Sequence, residues 1–104
     1  MFYHLPDEIE EAEIVTINTY FYNGGGIPYT INIQFPSVED SLSVGPITEE
    51  LPIVQPGAVT VKTFPLKGVK KDCFAHITVA ANIDPLFGKS PSFFVERADI
   101  TRVI

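Results

Sequence analysis

The segment PYTINIQF, Pro28 to Phe35, constrains the fold more than any other part of the chain. Tyr29, Ile31, Ile33 and Phe35 alternate with Thr30, Asn32 and Gln34. Successive side chains of an extended strand leave on opposite faces, so this order makes one apolar and one polar face. A helix would scatter both sets around its circumference. A wet polar face is the habit of antiparallel sheets. The same period recurs. In AEIVTINTYFY, Val15, Ile17, Thr19 and Phe21 share a face. In GAVTVKTF, Val59, Val61 and Thr63 oppose Ala58, Thr60, Lys62 and Phe64. In DCFAHITVAAN, Cys73, Ala75, Ile77, Val79 and Ala81 fall together. SLSVGPIT is a short strand broken by Gly45-Pro46, and Pro52 demotes ELPIV to an edge. SFFVERADITRVI is a final strand whose apolar phase changes midway, which predicts a bulge.

Turn residues separate these runs: Pro36-Ser37, Gly45-Pro46, Pro56-Gly57, Gly68, Pro85 and Gly88-Lys89-Ser90-Pro91. Short alternating strands punctuated roughly every 8 to 12 residues predict a sandwich or barrel. The reading gives about seven strands. No segment has a convincing 3.6-residue apolar period, which argues against α/β folds. The 104 residues suffice for one domain, and 45% hydrophobic content argues against disorder.

The start, MFYHLPDEIEEAE, differs. Pro6 interrupts it, and DEIEEAE allows at most one helical turn, which is marginal in isolation. Residues 1–11 are therefore expected to form an acidic N-terminal arm, extended or loosely ordered, with residues 12–104 as a single β domain that survives the arm's removal. The start has neither the basic residues nor the apolar core of a secretory signal. No stretch approaches the ~20 apolar residues of a membrane span, so no membrane insertion is expected. The expected location is a virion or the cytoplasm for a full-length chain, and a cell surface for a domain of something longer.

Charge is uneven along the chain. Residues 1–61 hold nine acids and no base; residues 62–104 hold seven bases and four acids. The net charge of −6 disfavours nucleic acid as a partner. If the halves occupied different surfaces, copies would attract head to tail. If strands of both halves interleave, the asymmetry cancels in space.

The run LPIVQPGAVTVKTFPLKG followed by CFAHITVAANIDP resembles the bacterial and archaeal immunoglobulin-like modules of the CARDB and fibronectin-III-like kind. INTYFYNGGGIPYTINIQF is similar to their second and third strands joined at an Asn-Gly turn. The match covers residues 14 to 85. It departs in DPLFGKSPSFF, where an acidic, asparagine-rich ending is common, and in the missing Cys…Trp…Cys core. The resemblance implies an antiparallel immunoglobulin-like β-sandwich used for spacing, adhesion or assembly. It carries no catalytic residues.

The residues themselves point the same way. NGGG lacks the GK[ST] of a P-loop and precedes a strand, so no helix N-terminus awaits a phosphate. It reads as a hairpin loop, with Asn-Gly supplying positive φ. Cys73 alternates in phase with Ile77 and Val79, as a buried hydrophobe would. His76 takes the opposite, solvent-facing side, and His4 has no fixed partner. A single cysteine permits no internal disulfide and no thiolate zinc cage. The acidic arm lacks a shaped calcium loop. The chain is thus expected to be no enzyme, with neither cofactor nor metal. Leu86 and Phe87 in a turn-rich loop, with Phe93 and Phe94 after it, form the expected contact element for a protein partner or a second copy. The alternative is a carbohydrate- or ligand-binding accessory domain using Tyr20, Tyr22 and Tyr29.

Overall fold

The structure, a computed structural model, describes residues 1–49, 53–86 and 91–104. These residues are all-β, in two sheets with no helix. Strands are numbered in chain order. The first sheet runs β1 (Phe2–Tyr3), β3 (Ile14–Tyr22), β8 (Val59–Gly68), β5 (Leu42–Val44), with β6 (Thr48–Glu49) also pairing with β8. The second runs β2 (Glu8–Ile9), β10 (Phe93–Val103), β9 (Cys73–Pro85), β4 (Tyr29–Val38), β7 (Ile53–Val54). All neighbours are antiparallel except β2 and β10, which are parallel.

The alternation read from the sequence becomes the core. Ile17 of β3 and Phe64 and Leu66 of β8 meet Ala75, Ile77 and Val79 of β9 across the sheets. The Phe35 and Phe64 rings touch edge-on at 4.9 Å. The body measures 49 × 21 × 19 Å with a radius of gyration of 15.0 Å. A compact chain of this length would have about 13 Å, so the molecule is a short rod.

Several expectations change. Among the described residues ten strands replace seven, because Gly45-Pro46 divides one run into β5 and β6 and because the first eleven residues contribute two more. Of the ELPIV run, Ile53 and Val54 form the edge strand β7, while Glu50, Leu51 and Pro52 lie outside the described residues. β10 has no bulge: its register on β9 is unbroken from Phe93↔Ile83 to Val103↔Cys73. Its apolar phase changes because Arg97 and Asp99 occupy inner-face positions at the seam, where Tyr3 meets them. The irregularity lies in β4, between Gln34 and Ser37, beside Pro36 with its missing N–H.

The largest correction concerns the arm. It is extended, but it is sewn to both sheets. β1 pairs with β3 and β2 with β10. Tyr3, Leu5 and Ile9 are core residues. Tyr3 is 1% exposed, with Arg97 stacked over its ring at 4.8 Å and Arg97 Nη1 donating to its carbonyl at 3.2 Å. Thr101 donates to the Pro6 carbonyl at 2.7 Å. The period of two in F-Y-H-L spans only four residues and is followed by Pro6 and a run of acids, which masked the pattern.

This docking also mixes the two charge halves. Glu8 lies opposite Arg102, and the Lys71 amide donates to the Glu11 carboxylate at 3.3 Å. Lys67 pairs with Ile14, just after the acidic stretch. At this end of the rod the acids of the first half lie among the bases of the second.

Close backbone approach makes this junction possible. A Cβ on Gly68 would stand 2.6 Å from the Glu10 carbonyl oxygen. Gly68→Ala is therefore expected to cost about 1–3 kcal/mol by forcing β2 away from β8, read as a lower urea midpoint with an unchanged slope.

Candidate interaction surfaces

The described residues of the expected contact element, Leu86, Phe93 and Phe94, do not form one patch. Phe93 and Phe94 point to opposite faces, as adjacent strand residues must. Phe94 is 57% exposed on the outer face of the second sheet. Phe93 turns toward Tyr29, with ring centroids 5.9 Å apart in an edge arrangement. Leu86 is partly exposed, and its amide donates to the Pro28 carbonyl at 2.9 Å. Phe87 lies outside the described residues.

The three tyrosines are also divided. Tyr20 and Tyr22 stand outward on β3, with Phe21 buried between them. Tyr29 stands on β4 of the other sheet. Tyr22 and Tyr29 share the walls of a cavity of about 280 Å³ at one end of the rod, with Met1, Phe21, Val54 and Phe93; Tyr20 does not reach it. Tyr20 packs instead against Phe2, at 6.4 Å between ring centroids.

Asn23 and the glycines form the rim of this cavity. The buried Asn23 amide donates to the Ile27 carbonyl at 2.7 Å and the Val54 carbonyl at 2.9 Å, and its oxygen accepts from the Gly25 amide at 2.9 Å. The loop is thus held by a side chain and not by left-handed backbone. Among the described glycines only Gly57 has positive φ, at 78°, so the expected Asn-Gly positive-φ turn is not formed. Space explains two of the glycines: a Cβ on Gly24 would meet the Tyr22 ring at 3.2 Å, and one on Gly25 the Tyr29 hydroxyl at 3.3 Å.

Sequence reasoning missed three features. The first is the outer apolar row of the first sheet. Register sets Phe2 beside Tyr20, Tyr20 beside Val61, and Tyr22 beside Val59. Tyr22 is 69% exposed, and Phe2 and Val59 are exposed as well. The signal was present in the apolar residues of β8's odd positions, but which face of β8 is buried was undetermined. Phe64 and Leu66 decide it, and they carry Lys62 inward with them.

Lys62 is the second. It is 1% exposed, and its ammonium donates to the Ile31 carbonyl and pairs with Glu49 at 2.7 Å. With Thr19 and Thr60, whose buried hydroxyls have no partner among the described residues, it forms a polar belt. The belt lies between two apolar clusters, one around Phe64 and Ile77, the other around Phe21 and Ile31.

The third is the seam between the sheets, where Arg97 pairs with Asp99 at 3.0 Å. Burial, and then the nearby Asp99 carboxylate, push the Tyr3 hydroxyl's pKa up, against the opposing effect of Arg97. The hydroxyl stays protonated and donates to the Arg97 carbonyl at 3.3 Å.

His76 faces outward, as read, and contacts the Glu39 carboxylate. Cys73 lies in phase with the inner face but is only half-buried at the strand's end. Among the described residues, no three His, Cys, Asp or Glu side chains converge as a metal set, and no helix is long and apolar enough to cross a membrane. Compared with family models, curated proteins and solved structures, the chain has no significant match.

Proposed function

We propose that the chain is a non-catalytic structural module that makes protein–protein contacts, as in a particle component or a surface-protein module. The observation that carries this reading is the outer apolar row Phe2, Tyr20, Val61, Tyr22 and Val59, which crosses three neighbouring strands on a solvent face. A contiguous exposed apolar patch on a folded domain is characteristic of an interaction surface. The rod shape suits spacing. An immunoglobulin-like sandwich is the architecture we propose: β1-β3-β8-β5 faces β2-β10-β9-β4-β7, as sheets A-B-E-D and G-F-C would. The departure is chain order, since the segment after β4 visits the first sheet before returning to β4's edge as β7.

The test is a photo-crosslinking residue at Tyr22, outside the core, in the organism's own cells. The expected result is a discrete polypeptide adduct that vanishes in a Tyr20→Glu background. Labelling indistinguishable from a control site at Asn18 would contradict the reading. A carbohydrate-binding role is the second reading, supported by the cavity walls Tyr22 and Tyr29. It requires saturable perturbation of those two side chains by oligosaccharides.

A further inference from the structure

The longest unbroken open backbone edge among the described residues belongs to β10. One side of β10 pairs with β9 throughout. The other side pairs only at Arg102 and Val103, with β2. The Arg102 amide donates to Asp7 and the Ile104 amide to Ile9, both toward β2. In an unbulged strand the direction of N–H and C=O alternates with period two. Phe94, Glu96, Ala98 and Ile100 therefore present their N–H and C=O groups to the open side, with no backbone partner among the described residues. The other edges are shorter or interrupted: β1 is two residues long and leaves β3 open on that side from Ile14 to Asn18. β4 carries the bulge at Pro36, and Lys62 occupies the Ile31 carbonyl. β5, β6 and β7 are two or three residues long. β10 carries no proline and no bulge; its guards are the charges of Glu96, Arg97 and Asp99, two of which neutralise each other as an ion pair.

We propose that this edge pairs antiparallel with the same edge of a second copy, joining the two second sheets into one. The inference rests on the reading of the chain as a contact-making module and names its partner. The free edge spans Phe94 to Ile100, so a twofold pairing that uses all of it is centred on Arg97. In that register Phe94 lies opposite Ile100 of the second copy, and Glu96 opposite Ala98, at both ends. Phe94 and Ile100 are 57% and 50% exposed on the same outer face, so pairing covers both. No like charges oppose one another on that face. On the inner face the two Arg97 side chains become neighbours, each already paired with its own Asp99 at 3.0 Å and diagonal to the Asp99 of the second copy. The axis therefore sets Arg97 directly opposite its copy, a like-charge pair flanked by both Asp99 carboxylates. The interface is self-complementary, as a twofold contact requires, and backbone hydrogen bonds supply the adhesion of strand addition.

Sedimentation equilibrium of the full chain from micromolar to millimolar concentration tests this. The wild type is expected to double in mass. Ala98→Pro removes an N–H that faces the open side and no internal bond, so the variant is expected to remain monomeric. Ile100→Lys, on the exposed outer face opposite His76, is expected to do the same and guards against a proline that fails to fold. A dimer that persists in both folded variants overturns the edge. If that dimer disperses in Tyr20→Glu, the module reading stands on the first sheet instead. A wild-type monomer throughout overturns the edge pairing, and the crosslink at Tyr22 then decides the module reading by itself.

Discussion

Deleting residues 1–11 abolishes cooperative unfolding at 25 °C. The segment carries Tyr3, Leu5 and Ile9, all core residues. Removing one such side chain costs about 2–5 kcal/mol, and a domain of this size has about 5–15 kcal/mol in total. Losing three, with the β1 and β2 ladders, uses up most or all of that margin. It also strips the Arg97–Asp99 pair of the ring and carbonyl that cover it. Circular dichroism during a urea titration checks this: a broad, slope-like change is expected. A sharp transition at the wild-type midpoint would show that the segment is only attached. Tyr3→Ala alone should already lower stability by about 3–5 kcal/mol.

Replacing Lys62 separates the two things it does. Its stem fills space between the apolar clusters, while its ammonium satisfies the Ile31 carbonyl and Glu49. Lys62→Ala loses both and is expected to cost about 2–4 kcal/mol. Lys62→Met keeps the volume and removes a charge that was costly to desolvate. Its partner Glu49 is half in solvent and rehydrates easily. It is expected to lie within about 1 kcal/mol of the wild type. Equal losses in the two variants would mean that the ion pair, and not the filled volume, holds the belt together.

These two cases mark where the sequence was legible. β4 and β9 could be read directly because their apolar residues alternate without interruption, from Ile31 to Phe35 and from Ala75 to Ala81. β8 could not, because valines on one face compete with Phe64 and Leu66 on the other. Only the facing sheet settles that contest. The N-terminal segment was misread for a related reason. Its buried residues Tyr3, Leu5 and Ile9 are separated by a proline and by acids, and the burial arises from a switch between sheets that no local period encodes. Adjacency alone showed that one of Phe93 and Phe94 faces outward, but not which. The open edge of β10 was not legible, since an edge is defined by which strands do not lie beside it. The glycine loop was read as a hairpin with left-handed backbone and is neither: it crosses from β3 in the first sheet to β4 in the second, held by Asn23 bonds that reach Val54, thirty-one positions away.

The central claim is that copies of this molecule join through the open edge of β10. Backbone amide spectra of the full chain, recorded as concentration rises from micromolar to millimolar, test it most directly. Shifts and slowed exchange are expected at Phe94, Glu96, Ala98 and Ile100, while the amides of Ile77 and Val79 stay as they are. Spectra independent of concentration at all four positions, or changes confined to the cavity rim at Asn23 to Gly25, would contradict it.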